Sequence, residues 1–208
     1  MTLEHSEASK GSPEGRPFQI LTVCTGNICR SPMAQLLLQD GFDALSPDQF
    51  LLSSAGTRAL AGHSAEKHIA DALAQEEIDA SGFRAKQIHS SMLKEADLIL
   101  AMSREHRSRI VELYPGALMK TFTIREFARI APTQVAMTYS PTLRWSAAVE
   151  AARKNRSNPG IDRLAEDDVV DPYGKDSATF RRSFDQLRPA VERILDLERQ
   201  WVSRQSNV

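Results

Sequence analysis

Cys24 and Arg30, which are separated by five residues, are the pair in this chain best suited to catalysis. The segment around them reads Val-Cys-Thr-Gly-Asn-Ile-Cys-Arg-Ser-Pro and lies between a short apolar run and an expected helix. A cysteine thiolate is a strong nucleophile, and the planar guanidinium of arginine can hold two oxygens of one phosphate. The spacing therefore indicates a loop that binds phosphate and attacks it with sulfur. The alternative is a buried structural cysteine beside a solvated arginine.

The residues between this pair are of the types that fold into an anion-binding cup. Gly26 permits a tight turn, and Asn27 tolerates left-handed backbone angles and can hydrogen-bond across the loop. The backbone N–H groups of such a loop, together with the positive end of the next helix dipole, stabilise a phosphate dianion. The same field stabilises a thiolate at Cys24. We expect Ser31 to cap that helix and to offer its hydroxyl to the sulfur.

Asp171 is the candidate general acid for a reaction of this kind. It precedes Pro172, and a residue before proline tends to be extended, which would hold the carboxyl on a stiff loop. A proton from that carboxyl would ease the departure of an alkoxide or phenoxide. The alternative is that Asp171 merely extends the acidic run at 166–168. Tyr173 either forms a wall of the pocket or packs within its own loop.

The apolar runs that surround these residues predict a layered α/β fold. Strands are expected at 18–24, 50–55, 98–102 and 120–124. Helical patterns follow Ser31, cover 64–77, follow Ser103 and recur from Phe180 onward. Because strands alternate with helices, they indicate parallel βαβ units. We expect a single domain over residues 17–203.

Three stretches give a weaker signal. Residues 1–16 are polar and rich in Gly, Ser and Glu, so they are expected to be a disordered tail. Residues 131–165 look less regular, although 147–154 could form a helix. Pro189 interrupts the apolar pattern of the C-terminal helix, which predicts that the helix either kinks or starts afresh there.

The composition argues against several other classes of protein. Among 208 residues, 26 Lys and Arg nearly balance 27 Asp and Glu, which gives no support for a nucleic-acid partner. Cys24 and Cys29, the two cysteines, are too few for a disulfide scaffold or a zinc site, and no metal or other cofactor is expected. No apolar run could span a bilayer and the N-terminus has no secretory signal. We therefore expect a cytoplasmic protein with no membrane partner.

The segment around Cys24 resembles the active-site loop of the low-molecular-weight protein tyrosine phosphatases. The resemblance covers most of residues 18–200 apart from 131–165, and it implies a small, about four-stranded parallel sheet flanked by helices on both faces. It is carried further by three motifs in the family order, Ser-Ala-Gly-Thr at 54–57, Ala-Asp-Leu-Ile-Leu-Ala-Met at 96–102 and Asp-Pro-Tyr at 171–173.

The resemblance also implies a role for each residue of the site. Cys24 is the expected nucleophile, Arg30 the phosphate clamp and Asp171 the general acid. Ser31 and Ser54 are expected to support the loop through hydrogen bonds. The residues expected to bind phosphate form one run: Thr25, Gly26, Asn27, Ile28, Cys29 and Arg30. The implied activity is hydrolysis of phosphotyrosine-type monoesters through a cysteinyl-phosphate, on a phosphoprotein or a small aryl phosphate.

Some positions depart from the pattern common in that family. Phe83 stands where many relatives carry a histidine and Gln35 where many carry a glutamate, so the network that supports the loop is expected to be shorter. Gly174 follows Tyr173, where some relatives have a second aromatic residue. Residues 58–60 form a rim without the aromatic side chain that some relatives carry.

Two alternative functions remain compatible with the same residues. An arsenate reductase on this fold would also use a thiol in an anion cup. The form that relays a disulfide needs more cysteines than Cys29, whereas a form that uses an external thiol stays compatible with the sequence. A catalytically silent phosphate-binding module is the other alternative, and the intact nucleophile, clamp and acid argue against it.

Two finer expectations concern the loop itself. Ile28 is expected to face the pocket entrance, where an apolar wall favours phosphotyrosine over phosphoserine and phosphoarginine; the alternative is that its side chain turns into the core. Cys24 and Cys29 are expected to form a reversible disulfide under peroxide. The alternative for Cys29 is that it simply packs under the loop.

Overall fold

The computed structural model describes residues 16–135, 140–156 and 167–205. The described residues form a four-stranded parallel sheet in the order β2-β1-β3-β4. The fold class predicted from the sequence is confirmed. The strands are Phe18–Cys24 (β1), Phe50–Gly56 (β2), Leu98–Ala101 (β3) and Thr121–Thr123 (β4).

Helices cover both faces of the sheet. Side chains alternate along β1, so that Phe18 and Ile20 belong to one apolar cluster while Leu21 and Val23 belong to another on the opposite face. No described helix is long and apolar enough to cross a membrane. The described α-helices are Arg30–Leu45 (α1), Lys67–Ala74 (α2), Ser90–Glu95 (α3), Arg104–Leu113 (α4), Ile124–Ile130 (α5), Pro141–Asn155 (α6) and Ser177–Gln205 (α7), and a 3-10 helix spans Pro115–Lys120.

The predicted start of α1 is wrong. The helix begins at Arg30 rather than after Ser31, and the N-cap residue is Cys29, whose side chain makes no capping hydrogen bond. Ser31 is therefore inside the first turn, and its hydroxyl lies 2.9 Å from the sulfur of Cys24. The hydroxyl of Ser31 therefore belongs to the site rather than to the helix cap.

The stretch 131–165 is more regular than the sequence suggested. Its described part contains α6, fifteen residues long, and Trp145 from this helix is completely buried. The indole packs at 5.4 Å from the rings of both Phe42 and Trp201, so α6 is part of the main core. Residues 136–139 and 157–166 lie outside the described residues.

A buried carboxylate joins α6 to α7 and to the end of α1. Glu198, which is fully buried, accepts hydrogen bonds from Arg144 at 2.6 Å, from the indole of Trp145 at 2.8 Å and from Ser46 at 2.7 Å. Helix α7 runs without interruption through Pro189, so a fresh start there is not observed. The hydrogen bonds of Glu198 hold α7 against α6 and the end of α1.

The chain is anchored from Arg16 onward. Its guanidinium makes two hydrogen bonds of 2.6 Å to Asp97, and its carbonyl accepts from Thr142 of α6. Arg16 was assigned to the expected disordered tail at 1–16; residues 1–15 of that tail lie outside the described residues.

Candidate active site

The loop that follows β1 lies at the point where the sheet order reverses. β1 has β2 on one side and β3 on the other, and ligands of open α/β sheets bind beyond the carboxyl ends of the strands at such a point. Both neighbours also fix the loop directly. Thr57 donates its N–H to the carbonyl of Cys24 at 2.9 Å, and Met102 donates to that of Val23 at 2.8 Å.

The loop after Cys24 has its carbonyl groups turned outward. The carbonyl oxygens of Thr25, Gly26 and Ile28 accept hydrogen bonds from backbone N–H groups within 58–66. In a trans peptide the N–H lies opposite the carbonyl, so the amides that follow these carbonyls point into the loop. This is the arrangement that a phosphate dianion requires.

Asn27 holds the loop in shape from within. It has a left-handed backbone (φ 54°), and its side-chain amide donates to the hydroxyls of Ser31 at 3.0 Å and Ser54 at 2.8 Å. The backbone N–H of Lys86 donates in turn to the side-chain oxygen of Asn27 at 2.7 Å. Gln35 accepts from Ser54 at 2.6 Å, so the expected shortening of the network does not occur at this position.

The sulfur of Cys24 is surrounded by hydrogen-bond donors. The N–H of Asn27 donates to it at 3.3 Å, and the hydroxyl oxygen of Ser31 lies 2.9 Å away. Because that oxygen already accepts from the amide of Asn27, its proton is free to point at the sulfur. The arrangement stabilises a thiolate.

Arg30 is buried at the floor of the same pocket, with only 4% of its surface exposed. One terminal nitrogen donates to the carbonyl of Val169 at 3.1 Å, and the other pairs with the carboxylate of Asp171 at 2.6 Å. Its Nε is buried and has no hydrogen-bond partner among the described residues. A guanidinium held in this way still has a donor to offer to an anion.

Asp171 is half-exposed at the pocket rim and is held there by its loop. Its carboxylate accepts a hydrogen bond from the N–H of Tyr173 at 3.2 Å. Two residues before Asp171, the N–H of Val169 donates to the backbone carbonyl of Met102 at 2.9 Å. Tyr173 stands outermost, 59% exposed, which favours the pocket wall over packing within the loop. The loop therefore places one carboxyl group above the cup.

These residues enclose a pocket of about 120 Å³. Asn27, Ser31 and Ser54 lie behind it as the supporting network. Among the described residues, no three His, Cys, Asp or Glu side chains gather in a way that could hold a metal ion. The lining residues are Cys24, Thr25, Gly26, Ile28, Cys29, Arg30, Arg58, Leu60, Asp171 and Tyr173.

Known proteins share this architecture. The sequence profile described as low molecular weight phosphotyrosine protein phosphatase matches residues 19–138, more than half of the chain. The chain belongs to this family. The resemblance inferred from the sequence is thereby confirmed, and the chain is a phosphatase of the low-molecular-weight type.

Relatives of this low-molecular-weight phosphatase carry two different substrate names. This chain is 40% identical over 105 residues to the low molecular weight protein-tyrosine-phosphatase Ptp of Acinetobacter johnsonii, and the match covers 50% of this chain and 70% of the relative. It is 34% identical over 154 residues to a protein-arginine-phosphatase of Geobacillus stearothermophilus, covering 72% and 95%. A crystal structure of the low molecular weight protein tyrosine phosphatase from T. tengcongensis matches with a TM-score of 0.63 at 30% identity, over 86% of this chain and 98% of that one.

One residue of the phosphatase site was missed in the sequence. His106 is buried, and its ring lies 2.8 Å from the hydroxyl of Thr25 in the loop. The signal that could have found it is its place three residues after Ser103, just beyond β3. The carboxyl end of β3 lies beside that of β1 in the sheet, so residues that follow both strands meet.

Cys29 differs in character from Cys24, although both are buried and free. Burial raises the pKa of Cys29 to about 12, the negative charges of Cys24, Glu66 and Asp171 act in the same direction, and Arg30 opposes them. Cys29 is therefore a protonated thiol near pH 7. Cys29 suits a role that follows oxidation of Cys24 better than a role as the nucleophile that attacks phosphorus.

Peroxide is expected to link the two cysteines reversibly. Oxidation of Cys24 gives a sulfenic acid, and the thiol of Cys29 then displaces water from it to form the disulfide. Because Cys29 stays protonated, formation of the disulfide should speed up as the pH rises. Mass spectrometry of peptides before and after reduction measures it. Over-oxidised Cys24 with Cys29 always free would contradict the prediction, and Cys29→Ser is the variant that cannot form the bond.

Proposed function

We propose that the chain hydrolyses phosphate monoesters with Cys24 as nucleophile, Arg30 as phosphate clamp and Asp171 as general acid. The observation that carries the proposal is the hydrogen bonding of the sulfur, because donors from Asn27 and Ser31 hold it at the base of a cup. Such an environment favours the attacking thiolate over the inert thiol.

The reaction has two steps. The thiolate of Cys24 attacks phosphorus, the bond from phosphorus to the ester oxygen breaks, and Asp171 gives its proton to that oxygen. In the second step the Asp171 carboxylate takes a proton from water as the water attacks phosphorus. The phosphorus–sulfur bond breaks, which returns the thiolate and releases phosphate.

The phosphate is held by the backbone of the loop from Thr25 to Cys29 together with Arg30. In the ligand-free site Arg30 pairs with Asp171 at 2.6 Å. A phosphate dianion competes with that carboxylate for the guanidinium and can also accept from the unpartnered Nε. Binding of the substrate therefore frees Asp171, which takes up a proton from solvent before the first step, to turn toward the leaving oxygen.

Asp171→Asn is expected to slow the release of a poor leaving group far more than that of a good one. A phenoxide needs the proton that Asp171 supplies, whereas an activated nitrophenoxide departs without it. We expect kcat for phenyl phosphate to fall by about a hundredfold or more and kcat for nitrophenyl phosphate to fall much less. Steady-state kinetics with the two esters measure the difference. Equal losses for both would assign Asp171 a structural role.

The apolar walls of the pocket favour an aromatic substrate. Ile28 lines the pocket but is only 7% exposed and also packs in the main apolar core, so Leu60 and Tyr173 supply most of the apolar rim. These side chains give a phenyl ring surface to pack against and, apart from the tyrosine hydroxyl, offer no hydrogen bond to a polar linker. We therefore propose phosphotyrosine in proteins, or small aryl phosphates, as substrates. The chain is similar both to relatives named tyrosine phosphatases and to a relative named an arginine phosphatase.

Matched peptides that differ only in the phosphorylated residue test this preference. We expect kcat/KM to be at least about tenfold higher for phosphotyrosine than for phosphoserine or phosphoarginine, because burying the ring is worth more than about 1.4 kcal/mol. Ile28→Thr should reduce the margin, since it replaces apolar wall with a hydroxyl. A preference for phosphoarginine in the wild type would overturn the substrate but leave the cysteine chemistry intact.

The arsenate reductase alternative is less well supported. A disulfide relay needs a second thiol that attacks readily, and burial keeps Cys29 protonated.

The pair of free thiols in the chain supports a cytoplasmic location, where such thiols stay reduced, and we propose that location.

A further inference from the structure

A buried histidine connects the phosphate-binding loop to the start of α4. His106 lies in the first turn of that helix and is 5% exposed. Its Nε2 is 2.8 Å from the hydroxyl oxygen of Thr25, and its Nδ1 is 2.8 Å from the hydroxyl oxygen of Ser103. Both ring nitrogens are thus engaged, and one of them reaches the residue next to Cys24.

The ring is neutral near pH 7. Burial, and after it the charge of Arg30, lower the pKa of His106 to about 4, although Asp171 and Asp168 oppose the shift. A neutral imidazole donates from one nitrogen and accepts at the other. The direction of the two hydrogen bonds therefore depends on which nitrogen carries the proton.

The cap of α4 favours one of the two tautomers. The hydroxyl oxygen of Ser103 accepts the backbone N–H of His106 at 3.3 Å, as an N-cap does. If its own proton goes to Nδ1, every polar atom of Ser103 and of the ring has a partner. Nε2 then carries the ring proton and donates to the hydroxyl oxygen of Thr25.

We propose that His106 is a positioning residue for the phosphatase reaction, acting through the hydroxyl of Thr25. By donating to that oxygen, His106 leaves the hydroxyl proton of Thr25 free to point away from the imidazole, and Thr25 also lines the pocket that contains Cys24. There it is available to an oxygen of the bound phosphate. This inference rests on the proposed function, since it assigns Thr25 a donor role in the same cup.

The tautomer can be measured in the full-length wild-type protein without any assay of activity. Long-range proton–nitrogen correlation spectra distinguish an imidazole protonated at Nε2 from one protonated at Nδ1, and the signal that disappears in His106→Gln identifies the residue. We expect Nε2 to carry the proton. A ring protonated at Nδ1 would overturn the proposal, whatever the activity of the enzyme.

Two substitutions separate positioning from packing. Glutamine places its amide close to the position of Nε2 and can still donate to Thr25, whereas asparagine reaches only toward Ser103. We expect His106→Asn to raise KM for an aryl phosphate and the inhibition constant of inorganic phosphate in parallel, by about tenfold. His106→Gln should stay within about threefold of the wild type in both constants.

A double variant completes the test. If His106 acts through the hydroxyl of Thr25, adding Thr25→Val to His106→Asn should cause no further rise in either constant. Losses that multiply, or equal losses in the Asn and Gln variants at unchanged melting temperature, would overturn the proposal. Should the wild type hydrolyse no ester, the proposed function fails instead, and calorimetric binding of inorganic phosphate gives the same comparison.

Discussion

Replacing Cys24 with serine is expected to abolish hydrolysis while leaving the loop able to bind phosphate. A serine hydroxyl stays protonated at neutral pH and is a far weaker nucleophile than a thiolate, so we expect kcat to fall by at least about a thousandfold. The cup should still bind phosphate, because backbone amides and Arg30 remain in place. Hydrolysis of an aryl phosphate and calorimetric titration with inorganic phosphate measure the two effects.

Cys29→Ser is the matched control for this experiment. It makes the same substitution in the same loop at a thiol that is protonated near pH 7. We expect its loss of activity to be far smaller than that of Cys24→Ser. Substantial residual hydrolysis in Cys24→Ser, or an equal collapse in both variants, would remove Cys24 from the role of nucleophile.

Glu198→Gln is expected to destabilise the fold by about 3–5 kcal/mol, because it leaves the guanidinium of Arg144 buried without its carboxylate. Glutamine keeps the size of the side chain but has only one oxygen, whereas Trp145 and Ser46 donate to different oxygens of the carboxylate. The loss therefore includes a hydrogen bond as well as the charge. The free energy of unfolding in urea measures it.

The same substitution at the exposed Glu150 provides the control. This residue pairs with Arg153 at 2.6 Å on the outer side of α6, and exposed pairs contribute little. Glu150→Gln should hardly move the unfolding midpoint. Adding Arg144→Met to Glu198→Gln should recover part of the lost stability, since it removes the buried cation. A loss at Glu198 no larger than that at Glu150 would show that the buried pair contributes nothing.

The strands of this fold could be predicted from the sequence, but helix α5 and the first half of helix α6 were missed. Buried parallel strands are continuous apolar runs, which identified all four. Helix α5 was missed because Ile124 was assigned to β4, although Thr123 and Glu126 form a capping box that marks a helix start. Helix α6 was expected only over 147–154, because its first half is held by Trp145 packing against aromatic rings that are distant in sequence.

The candidate site divides in the same way. The cup could be predicted because its residues are contiguous between Cys24 and Ser31. Its supports come from distant segments: the N–H of Lys86, the carbonyl of Val169 and the ring of His106. Two of these are backbone groups, which every residue has, so side-chain identity carries no signal for them.

The parallel pairing around β1 also determines when the enzyme becomes active during folding. Cys24 pairs with Gly56, and Val23 pairs with Ala101, so the loop takes its shape only when parts of the chain far apart in sequence have met. Contacts of such long sequence separation form late and slowly, because the entropy of closing large loops must be overcome first. Return of catalytic turnover after dilution from denaturant would therefore report assembly of the whole sheet, and a collapsed folding intermediate would be inert.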